Sequence, residues 1–517
     1  MSPLSRALPL SLVLAAVLAA PAAAQGERLG TVSFPNAGDR AAQPDFLRGL
    51  ALLHSFEYDD AARAFRAAQQ RDPAFALAYW GEAMTYTHPL WNEQDLPAAR
   101  AALARLAPTA EARAARAPTP RERDWLATAE VLYGEGPKAR RDTLLARALE
   151  RLVAAYPDDD EAKAFHALWL MALGQGVRDV PAYMRAGAIA TELLHRKPDH
   201  PGAAHYVIHA FDDPTHAPLG LAAARAYAQI APAADHAQHM TTHIFLALGM
   251  WDETIAQNAI AAGPDTAAWQ PGHYTYWLHY ALLQEGRFRE AEALLGSLHA
   301  HLQAPARVGR RAYLSNARAQ QVINAERWSD PSLAWAIPLD DAGAAPQAVD
   351  AFTRGFAAAM RGNRTETERR VAELGRLEGK EVGPLGGLPE SVRLLRDELY
   401  AVHLRLEGKA ADAMTALRDV AERSAAVPAE FGPPDFVKPP FELLGEWHLA
   451  DGDLGAAQAA FTRSLALMPG RLRSLQGLVK AATAAGDREV AADAERRLRA
   501  YTGGADRGAL SLDAAAR

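Results

Sequence analysis

Small and apolar residues recur along this chain at helical spacing, and the recurrence is itself periodic. In GLALLHSFEYDDAARAFRAAQQRDP, Gly49, Tyr58, Ala61, Phe65 and Ala68 are spaced as the packing positions of a helix–turn–helix unit, and Pro73 stops its second helix. FELLGEWHLADGDLGAAQAAFTRSLALMPG repeats the pattern near the other end with Leu444, Gly445, Gly452, Ala457, Phe461 and Pro469. LGMWDETIAQNAI, LLQEGRFREAEALL and LRLEGKAADAMTAL carry partial copies, each pairing a turn glycine with small and apolar residues. One such helix pair cannot bury its apolar face alone, whereas stacked pairs share a continuous core. The pattern therefore predicts an all-α solenoid of helix–turn–helix units from about residue 40 to residue 503.

These positions resemble the tetratricopeptide repeat (TPR) family, whose unit is ~34 residues long. The resemblance implies a TPR-like superhelix with a concave groove lined by the first helix of each pair. Four stretches break the regular pattern: HPLWNEQDLP (88–97), ARAPTPRERD, ERWSDPSLAWAIPLDDAGAAP (326–346) and VPAEFGPPDFVKPP (427–440). The expected organisation is a secretory leader at 1–24, a flexible N-terminus at 25–40, an N-terminal array at 41–325 and an irregular connection at 326–346. A C-terminal array at 347–503 and a flexible tail at 504–517 complete it.

The leader assignment rests on MSPLSRALPLSLVLAAVLAAPAAAQG: an early cation at Arg6, an apolar run from Leu8 to Ala20, and the small residues Ala22, Ala23 and Ala24. Cleavage after Ala24 leaves Gln25 as the mature end. An alanine- and arginine-rich composition points to a bacterial source, and hence to the periplasm or secretion. No other apolar run approaches the ~20 residues of a membrane span. The net charge of −7 is dispersed and there is no basic stripe, which argues against nucleic acid as a partner. The chain has no cysteine, so disulfides, thiolate ligands and thiol nucleophiles are excluded.

What remains for chemistry is histidine. Ten of the 17 histidines lie between His195 and His279. Counting back about six, ten and thirteen residues from the turn glycine Gly249 reaches His243, His239 and His236, all on the groove side of a 3.6-residue period. Counting forward from Pro198 reaches His205 and His209, with Asp212 and Asp213 one turn on. Counting back from Gly286 reaches Tyr280, Tyr276 and His273. Imidazoles four residues apart lie one turn apart on one helix face and can share a metal ion. Helix axes ~8–10 Å apart bring two such pairs within reach of each other. His205, His209, His239 and His243 are thus the expected ligands of a transition metal (Zn, Cu, Fe or Ni), with His54, His88 and His236 as additional candidates.

Glu82, Asp212 and His236 are candidate acid–base groups. Glu82 stands where the repeat calls for an apolar residue, so it is either paired with a cation or functional. Trp80, Met84, His273, Tyr276 and Tyr280 are expected to line the groove for a substrate or partner. His195, His200, His299, His301, His403 and His448 read as ordinary helical histidines, His166 and His279 as core. Glu398, Glu442 and Glu446 read as solvated groove residues. There is no HExxH, since 206 is tyrosine and 240 is methionine. Phosphate loops, nucleophile elbows and dinucleotide fingerprints are also missing.

YWGEAMTYTHPLWNEQD, HPGAAHYVIHAFDDP and HAQHMTTHIF, with the first repeat, resemble an uncharacterised family of exported bacterial TPR proteins. That resemblance implies export and a superhelix but supplies no reaction. Two functions stand: a periplasmic TPR protein with a histidine metal site in its groove, acting as a metal binder or metalloenzyme, or a metal-free scaffold that captures a peptide or protein. A metal-free hydrolase or isomerase using a His–carboxylate pair is a weaker third.

Overall fold

The computed structural model describes residues 28–175, 177–302, 306–383, 389–428, 431–434 and 436–506. The leader, its cleavage site and the tail beyond Asp506 lie outside these residues. Among the described residues there are 24 α-helices, and the only strands are the two-residue pair Thr87–His88 and Glu93–Gln94 within the 88–97 turn. The chain is an all-α, TPR-like superhelix in which each helix packs on its sequence neighbours and on the next unit. No helix among them is long and apolar enough to cross a membrane.

One device recurs in the helix pairs. In the first unit Phe65 fills the notch between Gly49 and Gly81, where an added Cβ would come within 2.9 and 2.3 Å of the ring. Near the C-terminus Phe461 does the same between Gly445 and Gly477, at 2.8 and 2.2 Å. Both aromatic rings are fully buried. Glycine at these points lets three helices approach one phenylalanine, which explains the small–aromatic periodicity of the sequence.

The turns are equally regular. The backbone N–H of Met250 bonds to Phe245 O, and Arg287, Asn363, Lys409, Asp453 and Asp487 repeat the same six-residue closure. Each requires a left-handed residue just before the donor, and glycine supplies it at 249, 286, 362, 408, 452 and 486. Two turns of this type lack glycine: Glu326 (φ 53°) and Phe56 (φ 57°) hold the left-handed position instead.

Residues 28–40, within the stretch expected to be flexible, pack on the repeats. Leu29 and Phe34 are buried, and Phe34 packs against Phe46, Trp80 and Trp125. Thr31 N bonds to Asp199 O (2.8 Å), and Arg28 O accepts from Ala233 N (3.1 Å), so the segment straps several repeats together. The start of the tail is fixed too, since Gly504 N bonds to Glu285 Oε1 (2.9 Å) and Asp506 pairs with Arg289.

The last repeats fold back onto the middle of the chain. Trp251 Nε1 donates to Gly470 O (3.1 Å), Leu472 N to Gln284 Oε1 (3.2 Å) and Arg473 Nε to Asn324 O (2.9 Å). The backbones of Gly249 and Gly470 touch, leaving no space for a Cβ at either. Between Asn324 and Ala344 the chain has no α-helix, only the 3-10 turn Pro331–Ala334.

This closure makes a specific prediction. Gly470→Val should cost about 1–3 kcal/mol by overpacking, because its Cβ would sit 2.6 Å from the Gly249 Cα. Gly296→Ala, where a Cβ meets nothing, should be neutral or stabilising, and denaturant unfolding of both variants measures the difference.

Candidate functional site: a buried array of imidazoles

Three first helices face the closed cleft: Pro201–Phe211, Asp235–Ala247 and His273–Glu285. His200 caps the first of them, accepting from Ala203 N through Nδ1. The cleft histidines lie on the same helix faces that counting from Pro198, Gly249 and Gly286 selects. His205, His209, His239 and His243 are almost wholly buried.

They do not form one four-nitrogen shell. The rings divide into two triads, His205/His209/His236 and His239/His243/His273, whose nearest ligand atoms lie within 4.8 Å of one another. Asp212 joins the triads, reaching His243 Nδ1 at 2.9 Å and His209 Nδ1 at 3.4 Å through the same oxygen. Of the four expected ligands, His205 and His209 fall in one triad and His239 and His243 in the other. His273, expected only as a groove residue, completes the second triad, and His236 completes the first.

The hydrogen-bond partners determine which ring nitrogen carries the proton. His205 Nδ1 donates to His54 O (2.7 Å) and His239 Nδ1 to Asn258 Oδ1 (2.7 Å). Asn258 is fixed in that orientation because its Nδ2 donates to Thr254 O (3.0 Å). His243 Nδ1 donates to Asp212, while His273 Nδ1 meets the Tyr313 hydroxyl (3.1 Å). With Nδ1 protonated, a neutral ring presents a bare lone pair at Nε2. The Nε2 atoms of His205, His209 and His236 are buried without a hydrogen-bond partner. Those of His239 and His243 face each other at 3.2 Å.

Burial keeps these rings uncharged. It drives His205, His236 and His239 well below the ordinary imidazole value, and neighbouring rings add to the effect. His243 is lowered to about 4 by burial, against the pull of Asp212, and His273 to about 3. Burial alone would raise Asp212, but Arg178 and the two imidazoles outweigh it and hold the carboxylate ionised. Arg178 clamps Asp212 (2.6 Å) and Asp213 (2.9 Å) together.

Aromatic rings close the array. Phe56, in its left-handed conformation, lies over His205 (4.3 Å between centroids), His209 and His236. Trp277 and Phe431 stack on His243 at 4.6 and 4.8 Å. Phe431 belongs to the 427–440 loop, which the C-terminal repeats carry across the cleft, and Gln320 Nε2 holds Pro434 O.

Several expected site residues lie elsewhere. Glu82 is fully buried and accepts from Arg66, Gln69 and Arg105, so of its two readings the structure shows the pairing with cations. Trp80 is core, donating Nε1 to Thr128 Oγ1 (2.9 Å), and Met84 packs beside it. Tyr276 is also packed inward instead of lining an open groove, whereas Tyr280, though buried, lines a cavity beside Asp212. The tight curl turns these positions against neighbouring helices. His88 stacks on Tyr58 and bonds Glu93 at an outer hollow, away from both triads.

His54 joins a different cluster, with Glu161 and His200, neither of which stood out in the sequence. Because His200 Nδ1 accepts a backbone N–H, the proton of the neutral ring sits on Nε2, which lies 3.4 Å from Glu161 Oε1 without a hydrogen bond. That ring has no lone pair for a metal. Glu161 also takes Ser33 N and His54 Nε2 (2.6 Å), so this group is a hydrogen-bonded anchor for the N-terminal strap. Glu398 and Glu442 are buried, not solvated; Glu442 receives Arg471, Lys438 and Ser474.

No family model and no curated protein matches the chain. Among solved structures it is similar to the human IFIT1 dimer with m7Gppp-AAAA at 12% identity, covering 91% of each chain with a TM-score of 0.35. Yeast Tom70 is similar at 12% identity over 88% of this chain and 97% of that one, with a TM-score of 0.34. The P58(IPK) TPR domain follows at 11% identity, 86% and 99% coverage, and a TM-score of 0.22.

In the metal-free protein the buried rings set the pH response. His243 binds a proton at about 6.5 when unfolded and at about 4 when folded. The unfolded chain thus holds more protons between those values. Stability is complete above pH ~6.5 and falls with pH by about 1.4 kcal/mol per unit for this residue, levelling near its folded value. Denaturant titrations between about pH 7 and pH 5 should show a shallower loss for His243→Gln than for wild type.

Proposed function

We propose that this is an exported bacterial TPR protein whose closed cleft binds transition-metal ions, one in each histidine triad. The observation that carries this reading is the direction of the ring nitrogens. Four of the six rings have Nδ1 engaged with oxygen acceptors or the Tyr313 hydroxyl, His209 turns Nδ1 toward Asp212, and the free Nε2 atoms lie in the shared space. Two imidazole nitrogens at Zn–N distances of ~2.0–2.1 Å and a tetrahedral angle stand about 3.3 Å apart. The His239 and His243 Nε2 atoms are 3.2 Å apart.

The supporting shell fits the same chemistry. A metal-bound imidazole usually gives its other N–H to a carboxylate or carbonyl, which fixes the tautomer and raises its basicity. Asp212, Asn258 and the His54 carbonyl fill those places. An all-imidazole donor set without thiolates suits Zn, Cu, Fe or Ni. Three ligands per ion leave a coordination position for water or substrate, which suits hydrolysis or oxidation. Export is supported by the leader-like run before Gln25, and an exported chain without cysteine relies on imidazole for such metals. The alternative of peptide capture in the groove has less support, because the loop bearing Phe431 occupies the face a peptide would need.

Metal analysis of the purified mature chain after reconstitution with Zn, Cu, Fe or Ni tests the proposal. About two ions per chain are expected from the two triads, and the His209→Ala/His243→Ala double variant should lose both tight sites. A wild-type protein that takes up no metal sinks the reading; metal retained by the double variant sinks the ligand assignment. Asp212→Asn, which keeps every ligand, should weaken affinity about 10–100-fold.

A further inference from the structure

A cavity of about 230 Å³ lies behind Asp212, on the side away from the imidazoles. It is built from both halves of the superhelix: Trp251 and Tyr280 from the middle repeats, Phe431 from the loop, Ser391 and Arg471 from the C-terminal repeats. It exceeds the ~150 Å³ of an apolar cavity that takes up benzene. Prolines 428, 433, 434, 439, 440 and 469 form much of the remaining wall and make it stiff.

Two polar groups on this lining are poorly used by the protein. The Ser391 hydroxyl is buried and has no hydrogen-bond partner. Arg471 gives Nε and Nη2 to Glu442 and leaves Nη1 beside Tyr280. A hydroxyl can donate or accept and Arg471 Nη1 can only donate, so an acceptor is the one partner that suits both. Charge narrows the choice. Asp212 and Asp213 share Arg178, Asp213 also meets His216, and Glu442 is matched by Arg471 and Lys438. Every cation here is therefore already paired within the protein, and a ligand carboxylate would be buried without a cation of its own.

We infer that this cavity is a binding site for a neutral, largely apolar molecule, about the size of a substituted benzene ring, with a carbonyl oxygen as acceptor. The aromatic and proline walls take its body, and Ser391 donates to its oxygen. The inference does not depend on metal in the triads.

Acetophenone and benzoate, similar in shape and different in charge, are suitable probes. Thermal unfolding of the full chain should show a saturable rise in Tm with acetophenone and none with benzoate. Ala425→Phe, which fills the cavity from the end of a helix, should abolish the rise while leaving metal content at the wild-type level. Ser391→Ala should raise the Tm of the unliganded protein, because an unpaired buried hydroxyl is removed, and weaken acetophenone binding about 2- to 10-fold. Absence of any shift, or a shift that Ala425→Phe retains, overturns the site; a shift with benzoate alone overturns the charge assignment.

Discussion

Two lone pairs facing each other in a buried space repel unless a positive charge lies between them. His239 and His243 are held in that relation, and the surrounding structure enforces it. Asn258 cannot flip without losing Thr254 O, and Asp212 cannot swing away without leaving Arg178. Neither ring can relieve the contact by taking a proton near neutrality, since burial has pushed both well down. An unmatched buried acceptor costs about 1–3 kcal/mol. The array therefore stores a tension that a bound cation would release.

The superhelix makes this possible by closing. A wide open TPR groove would let water reach every Nε2 and satisfy it. Here the last repeats return to the middle of the chain, Gly470 meets Gly249, and the 427–440 loop lays Phe431 on His243. The same closure builds the largely apolar cavity that Asp212 helps to line, so one carboxylate touches both the imidazoles and that cavity. Arg178 keeps that carboxylate charged and in place.

The repeat fold was legible because its signals are local: a turn glycine, a small–aromatic spacing and a stopping proline within each ~34 residues. The facing of the cleft histidines was legible for the same reason, since a turn landmark fixes a helix's rotation. What could not be read was how far the array curls. That quantity decides whether Trp80 and Tyr276 line a groove or pack, and it arises from small rotations summed over many units. Partners distant in sequence were lost with it. Glu161 finds His54 across 107 residues, and Phe431 reaches His243 from a proline-rich stretch that carries no repeat landmark. Glu82 could have been resolved sooner, because Arg66 lies on the preceding helix with its guanidinium within reach.

Phe56 has a consequence for how such a chain could be redesigned or compared. At six other turns glycine occupies its place, so averaging the repeats would write glycine there. By backbone criteria alone that change is an improvement, since a bulky residue in the left-handed region is strained. Yet its ring is what separates His205, His209 and His236 from the open hollow beside Tyr58 and Asp59. The consensus of this protein's own repeats is thus a poor guide to its first repeat: regularising the solenoid would unroof the cleft it encloses.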